Sequence, residues 1–269
     1  MGGDFKKFKP ESIMVEYPDE FIRKMRLTGL ISLRGAGRFI DINHNENEKV
    51  EYVLNKYSVY KKFDTEKEYF DYASTIDENL VSIEAKVIPA SDKEKFLEKW
   101  TETFSWDQIK IELTNLATKN LTKDEILKYL ANPVRLEFLT ALALKSKFPQ
   151  VKVIPNYPID DEGIPTSTAG GTGNIGDIEC FEGSRGILVE VTMSEGRTQT
   201  MMEVWPISRH LKEFTKKAPE SMCYFIAPSL FSDTVSQIGY VKQSENLNIQ
   251  PKTITDFVTH LENTQVLYI

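Results

Sequence analysis

The chain has 269 residues, enough for one large folded domain or for a domain with a small appendage. Its hydrophobic content of 41% and aromatic content of 11% are typical of a folded globular protein. The net charge of −7 argues against broad non-specific binding to nucleic acid. The charge is uneven, because residues 1–62 carry 12 basic against 9 acidic side chains, while the remainder carries 21 against 31. We therefore expect phosphate contacts mainly near the N-terminal end and in a few local patches.

The sequence also excludes several classes of protein. No apolar run approaches the roughly eighteen residues of a membrane span, and the N-terminus carries no apolar signal segment. The two cysteines, Cys180 and Cys223, are too few for a disulfide framework or a zinc site. Both lie in predicted strands, where buried thiols are expected. These features predict a cytoplasmic protein that does not bind membranes.

The N-terminal segment predicts a helix followed by a basic hairpin. Residues 17–31 predict a short helix with Pro18 near its start, ended by Gly29. Residues 32–42 then predict a hairpin with a Gly-Ala-Gly turn, flanked by Arg34 and Arg38. This order suggests a small winged-helix-like element whose arginines contact DNA. A solvated hairpin with two ordinary arginines fits the same pattern.

The middle of the chain is predicted to be helical, and the C-terminal part to be mixed. Residues 45–80 have a loose helical pattern, and serine caps predict helices at 91–104 and 105–119. Two further helices are expected at 122–131 and 132–148, the second with Asn132 as N-cap and Pro133 in its first turn.

After residue 148 the pattern changes to alternating strands and helices. A strand at 151–156 precedes a Gly/Ser/Thr-rich loop at 160–176. The predicted elements that follow are a hairpin at 176–196, a helix at 197–218 interrupted at Pro206, a strand at 221–228, a helix at 233–238 and a final strand and helix. The fold class is therefore α/β (α+β), with a helical first half.

Two carboxylates in the hairpin are candidates for a metal site. Asp177 opens the first strand, and Glu190 lies among apolar residues in the second. An ionised carboxylate in an apolar strand is costly unless it is paired or bound to a metal. Two acids on neighbouring strands, with the backbone carbonyl of Val191 as a third oxygen, suit a hard cation such as Mg²⁺. Such a site suits phosphodiester hydrolysis, whereas a surface hairpin with Glu190 facing solvent is the alternative.

Two more residues strengthen the metal hypothesis. Glu203 stands thirteen residues past Glu190, on a predicted helix that could face the hairpin. His210 stands seven residues further, about two helical turns along and on the same face if the helix continues through Pro206. The Gly-rich loop before Asp177 permits close approach of the backbone to a ligand.

The spacing of Asp177, twelve intervening residues and then Glu190-Val191-Thr192 is similar to the PD-(D/E)XK nuclease signature. Thr192 departs from that signature, which has lysine there, and the general base is therefore left open. The wider pattern resembles the AlwI family of type IIS restriction endonucleases and its nicking relatives. The segments that carry the resemblance are "YPDEFIRKMRLTGLISLRGAGRFIDIN", "NPVRLEFLTALAL", "GDIECFEGSRGILVEVT" and "MMEVWPISRHL".

The resemblance implies a restriction-endonuclease-like mixed sheet flanked by helices. Residues 1–62 would be a linker or winged-helix-like element, and residues 63–269 the nuclease catalytic domain, helical over 63–148 and α/β over 149–269. The family's active site falls on Glu137, Asp177, Glu190, Glu203 and His210. Asp177, Glu190, Glu137 and the Val191 carbonyl would hold metal. Glu203 would replace the missing lysine as a supporting acid, and His210 would contact phosphate or position water.

These expectations define an enzyme and its partners. The chain would be a type II site-specific or nicking deoxyribonuclease that uses Mg²⁺, with Mn²⁺ able to substitute, and cuts double-stranded DNA beside a site read by a separate domain. Arg209 and Lys212 would approach the DNA backbone, and a homodimer or a second subunit would supply the second active site. Two alternatives remain: a catalytically weak or inactive DNA-binding or assembly module with the nuclease fold, and a junction-resolving or repair nuclease.

Overall fold

The computed structural model describes residues 9–10, 12–84, 86–170 and 175–267. Seven strands lie in these ranges: β1 (Ile31–Arg34), β2 (Phe39–Ile42), β3 (Lys152–Pro155), β4 (Ile178–Glu182), β5 (Arg185–Val191), β6 (Glu220–Ala227) and β7 (Ile249–Thr253). The α-helices in the same ranges are α1 (Tyr17–Arg26), α2 (Asn47–Tyr57), α3 (Glu66–Ala73), α4 (Glu78–Ser82), α5 (Ala90–Thr103), α6 (Trp106–Ala117), α7 (Asn132–Lys147), α8 (Gly196–Met202), α9 (Val204–Lys217), α10 (Ser232–Glu245) and α11 (Ile254–Asn263).

A five-stranded mixed sheet forms the centre of the C-terminal part, in the order β3-β4-β5-β6-β7. Strands β3, β4 and β5 are antiparallel neighbours, whereas β5, β6 and β7 run parallel. The parallel strands β5 and β6 are connected through α8 and α9, and β6 and β7 through α10, as parallel neighbours require crossover connections. A separate two-stranded sheet contains β1 and β2.

Helices cover both faces of the large sheet because its central strands are apolar on both sides. Ile187 and Val189 of β5 belong to the larger core, which includes α6, α7 and α11. Leu188, between them, belongs to the second core with α9 and α10. Helix α7 is buried along most of its length, in agreement with its position in the larger core. No helix in the described ranges is long and apolar enough to cross a membrane.

The N-terminal helix and hairpin dock onto the loop that follows β3. Arg26 of α1 is 1% exposed and pairs with the fully buried Asp160 at 3.0 Å. Arg34 of β1 pairs with Asp161 at 2.6 Å and with Glu162 at 2.8 Å. In contrast, helices α2, α3 and α4 bury no residue.

Several predicted element boundaries are wrong, each for a local physical reason. The helix predicted at 122–131 is absent and a short 3-10 turn, Leu127–Tyr129, takes its place. Asp124 causes this, because its carboxylate accepts the backbone N–H groups of Ile126 and Leu127, both at 2.9 Å. Helix α1 ends at Arg26, three residues before Gly29, which is the predicted end of this helix.

The helix caps are partly as predicted. Ser105 caps α6 and forms a capping box with Gln108. The predicted caps at Ser91 and Asn132 are wrong, because α5 already begins at Ala90 and Asn132 is the first residue of α7.

The break expected at Pro206 falls instead at Glu203, between α8 and α9. Pro206 then lies in the first turn of α9, where its missing N–H costs no helical hydrogen bond. The predicted hairpins and strands of both sheets are confirmed, and the helix expected at 233–238 extends over the whole of α10.

Candidate active site

The predicted acids meet at the end of β5, where α7 and α9 approach from opposite faces of the sheet. Asp177 immediately precedes β4, which is antiparallel to β5, and Glu190 is the penultimate residue of β5. Glu137 comes from α7 and His210 from α9, and Glu203 lies at the junction of α8 and α9.

The position of Asp177 is fixed by hydrogen bonds on both sides. Its carboxylate accepts the backbone N–H of Val191 at 2.8 Å, so it is tied directly to the end of β5. Its carbonyl accepts the backbone N–H of Asn156 at 2.9 Å, just after β3. The Asn156 side chain also donates to the carbonyl of Gly176 at 2.7 Å. These contacts hold the carboxylate at the strand end rather than in solvent.

Glu190 is 6% exposed and contacts His210, whose Nδ1 lies 2.8 Å from Glu190 Oε1. Burial, followed by the charges of Glu203 and Glu137, raises the pKa of Glu190 well above its usual value. Burial and the neighbouring Arg209 lower the pKa of His210. Both shifts disfavour the charged forms of the two partners.

The threonine at the usual lysine position is linked to Glu203. The Thr192 hydroxyl donates to Glu203 Oε1 at 2.7 Å and accepts the backbone N–H of Ser194 at 2.9 Å. Glu203 lies at the junction between α8 and α9, and its backbone stays in the right-handed helical region. Thr192 therefore orients an acid towards the end of β5, although it cannot supply the positive charge of a lysine.

Glu137 joins the site from the other face of the sheet. It is 4% exposed, and its Oε2 accepts the backbone N–H of Ala169 at 2.8 Å. Burial and the charge of Asp177 raise its pKa, and the hydrogen bond from Ala169 opposes that shift. Glu137 is thus buried and electrostatically coupled to the other acids, rather than exposed on a solvated helix.

The carboxyl groups repel one another as well as being desolvated. Burial raises the pKa of Asp177 well above its ordinary value, and the charges of Glu190 and Glu203 raise it further. No Lys or Arg side chain in the described residues forms an ion pair with Asp177, Glu190 or Glu137 at 4.0 Å or less. A buried anionic cluster without a cationic side chain is the arrangement that a bound metal cation would stabilise.

The donor set fits a hard divalent cation held partly by other ligands. Within the described residues, no three or more His, Cys, Asp or Glu side chains are arranged so that they could hold a metal ion by themselves. Mg²⁺ is commonly bound through one or two carboxylates, with waters and substrate phosphates completing its coordination. The oxygens of Asp177 and Glu190 match that chemistry, whereas a structural zinc cage would need four nitrogen or sulfur ligands.

The four predicted DNA-contacting residues occupy two separate elements. Arg34 and Arg38 lie on the β1–β2 hairpin, and Arg209 and Lys212 lie on α9. The Arg34 charge is already met by Asp161 and Glu162, and Lys212 pairs with Glu245 at 2.8 Å. Arg38 and Arg209 are exposed, so their contact with phosphate would disturb no buried packing.

Some residues that shape the site were not singled out from the sequence. Asn156 orients Asp177 through Gly176, and the backbone N–H of Ala169 orients Glu137. In the sequence, the polar residue at the end of the β3 segment is the one signal for Asn156. Gly176, at the end of the Gly-rich loop, packs closely against Glu190 and Leu188. A side chain at Gly176 would displace one of these neighbours.

The chain is similar to known proteins in sequence and in structure. The family model described as AlwI restriction endonuclease matches residues 81–260. A solved structure, the small subunit of the heterodimeric restriction endonuclease R.BspD6I, aligns with a TM-score of 0.48 and 24% sequence identity. The alignment covers 61% of this chain and 82% of that chain. The comparison with curated proteins gives no match.

Proposed function

Because the chain belongs to the AlwI restriction endonuclease family, we propose that it is a metal-dependent DNA endonuclease that nicks or cuts beside a site read by a separate domain. The observation that carries this proposal is the convergence of Asp177, Glu190, Glu203 and Glu137 at the end of β5, with burial and mutual repulsion raising the pKa of three of them. Idle buried acids would only destabilise the sheet.

Asp177 and Glu190 would hold the metal through their carboxylate oxygens, together with the carbonyl of Val191, and Glu137 would support a second ion or orient a water. Mg²⁺ is the expected ion, with Mn²⁺ able to replace it. When bound, such an ion activates water and neutralises charge on the phosphate. Asp177 is suited to this role because the hydrogen bond from Val191 aims its carboxylate at the end of β5.

The other side chains would position the reactants. His210 uses Nδ1 for Glu190, which leaves Nε2 to contact a phosphate oxygen or an attacking water. Glu203 is oriented by Thr192 and would act as a supporting acid in place of the signature lysine. Hydrolysis adds this water to phosphorus, breaks one P–O ester bond and releases one proton, for which Glu203 and His210 are the nearby acceptors.

The DNA would contact the chain through exposed basic side chains. Arg209 is adjacent in sequence to His210 and exposed on α9, so a phosphate bound there would also be near the acids. Lys212 and Arg34 would have to exchange their present carboxylate partners for phosphate. Cutting both strands would require a second active site from a partner subunit or a second copy.

The test is cleavage of a supercoiled plasmid by the purified chain with Mg²⁺, with Mn²⁺ and with a chelator. We expect metal-dependent open-circle or linear product, which Asp177→Ala and Glu190→Ala reduce by at least about a thousandfold. Glu213→Ala is the matched control, because Glu213 is an acid on the same helix as His210 and, among the described residues, pairs with the exposed Lys216 alone. Cleavage by a folded Asp177→Ala variant at the parental rate would contradict the assigned centre.

The alternative, a binding module with an inactive nuclease fold, makes the opposite prediction. Its support is the replacement of the signature lysine by Thr192. It predicts duplex binding through Arg34 and Arg38 without product in any metal. Calorimetric titration of metal into the chain distinguishes an inactive site, which binds no metal, from an intact site that requires a missing recognition domain.

A further inference from the structure

Gln199 of α8 is a buried glutamine beside the candidate active site, and it is 0% exposed. Its Nε2 donates to the carbonyl of Ser194 at 3.0 Å and to the carbonyl of Ser229 at 2.9 Å. Its Oε1 accepts the backbone N–H of Phe231 at 3.0 Å. Ser194 lies in the loop after β5, whereas Ser229 and Phe231 lie in the loop after β6. The side chain of Gln199 therefore ties together the loops that leave two neighbouring parallel strands.

The main chain of Gln199 also holds Glu203, because its carbonyl accepts the backbone N–H of Glu203 at 3.1 Å. Thr192 connects the two ends of this arrangement. Its hydroxyl donates to Glu203 Oε1 at 2.7 Å and accepts the backbone N–H of Ser194 at 2.9 Å. Hydrogen bonds thus run from Thr192 to Glu203, to Gln199, to Ser194 and back to Thr192, and we call this closed set the Gln199 ring.

The Gln199 ring determines where the hydroxyl proton of Thr192 points. A threonine hydroxyl has one proton and two lone pairs, and it rotates to suit its partners. The N–H of Ser194 occupies one lone pair, which directs the proton towards Glu203. The direction of this proton depends on the position of Ser194, and the amide of Gln199 fixes that position.

The carboxylate of Glu203 depends on this hydroxyl for its orientation. Within the described residues, no Lys or Arg forms an ion pair with Glu203 at 4.0 Å or less, and Thr192 is its side-chain hydrogen-bond partner. A lysine at position 192 would attract the carboxylate over several ångströms by its charge. A hydroxyl acts only at short distance and within a narrow range of angles. Thr192 must therefore be held in place more firmly than a lysine would be.

We propose that Gln199 is a positioning residue, which aims the carboxylate of Glu203 at the acid cluster by fixing the Thr192 hydroxyl through Ser194. This inference rests on the proposed nuclease function, in which Glu203 acts in place of the signature lysine. Gln199 itself touches neither metal nor DNA in this role. Loss of its side-chain hydrogen bonds lets the hydroxyl turn away from Glu203, so the chemical step slows while binding of the duplex is kept.

The test is a double-variant cycle of Gln199→Met and Thr192→Val, measured as single-turnover nicking. Gln199→Met keeps the length of the side chain and removes its hydrogen bonds. We expect the maximal rate to fall by about tenfold, with an unchanged protein concentration at half-maximal rate. Both residues act on the same contact with Glu203, so the double variant should be at most about twofold slower than either single variant. A glutamine that only holds the fold together would give effects that multiply, to about a hundredfold.

Thr234→Val is the matched control for loosening of α8. Thr234 is also fully buried and holds this helix, through a 2.8 Å hydrogen bond between its hydroxyl and that of Thr200, which is outside the Gln199 ring. We expect this variant to keep the parental nicking rate.

Ser194→Pro repeats the cycle with Thr192→Val if Gln199→Met fails to fold. Proline has no N–H to donate to the Thr192 hydroxyl, so this change opens the Gln199 ring at a different bond. A folded Ser194→Pro protein with the parental nicking rate overturns the inference.

Amide hydrogen exchange at Ser194 gives a readout that needs no cleavage. Its N–H should exchange slowly in the parent and in Thr234→Val, but at least about tenfold faster in Gln199→Met. A folded Gln199→Met protein with the parental nicking rate overturns the inference, as do effects that multiply in the cycle or unchanged exchange at Ser194. A parent that gives no product in any metal contradicts the proposed nuclease activity, and exchange at Ser194 then decides by itself whether Gln199 orients Thr192.

Discussion

Two regions of this molecule bury acids, and they do so in opposite ways. In the loop after β3, onto which the N-terminal helix docks, the fully buried Asp160 pairs with the guanidinium of Arg26 at 3.0 Å. It also accepts two backbone N–H groups. At the end of β5, Asp177 and Glu190 are surrounded by further acids and a histidine. Burial raises the pKa in both regions, but only at Asp160 does a cation oppose the shift. The difference separates a structural acid from acids arranged for a ligand.

The largest effect on stability should come from breaking the ion pair between Arg26 and Asp160. We expect Arg26→Met to lower the free energy of unfolding by about 3 kcal/mol, because it leaves Asp160 buried without its cation. Urea unfolding followed by tryptophan fluorescence measures this. The double variant Arg26→Met/Asp160→Asn should recover part of the loss, since it removes both charges. Equal stability of the single and double variants would contradict the role given to the ion pair.

At the acid cluster at the end of β5, we expect a substitution to increase the free energy of unfolding rather than decrease it. Asp177→Asn should raise the free energy of unfolding of the metal-free protein by about 1–2 kcal/mol, because it removes one of several mutually repelling buried charges. The same change should abolish stabilisation by Mg²⁺, which melting curves with and without the ion detect. Glu213→Asn is the exposed control. A metal-free Asp177→Asn protein less stable than the parent would argue against uncompensated charge at this position.

Thr192 offers a finer test of how the cluster is organised. Thr192→Val keeps the shape but removes the hydroxyl that donates to Glu203, so we expect the rate of single-turnover nicking to fall by about tenfold. Thr192→Ser keeps the hydroxyl and should retain most of the rate. If both variants behave alike, the hydrogen bond to Glu203 does not orient the acid during the reaction.

The smallest effect is a dependence of stability on pH. Asp177 has a folded-state pKa above its ordinary value of 3.8, so the folded protein binds the proton more tightly and stability from this group falls as pH rises above that value. The stability difference between metal-free Asp177→Asn and the parent should therefore be on the order of 1 kcal/mol near pH 8 and should vanish near pH 4. A difference that grows on acidification would reverse the assigned sign.

Local sequence patterns predict many of the helices and strands of this fold. The Glu182-Gly183-Ser184 turn before the apolar run around Glu190 predicts the β4–β5 hairpin, and the Gly-Ala-Gly segment predicts the β1–β2 hairpin. Both hairpins are confirmed. Ser105 as N-cap predicts the start of α6. The wrong predictions include the helix at 122–131, where the Asp124 carboxylate overrides helical propensity, and the break at Pro206, which falls instead at Glu203.

The sequence by itself determined the strands, most of the helices and the spacing of Asp177 and Glu190, because hydrophobic periodicity and turn chemistry are properties of neighbouring residues. The tertiary structure decided that Glu137 reaches the same cluster from the opposite face of the sheet, and that Arg34 is engaged by Asp161 and Glu162. It also decided which buried acids have a cation beside them. Burial and electrostatic coupling depend on segments far apart in the chain, so no local pattern contains them.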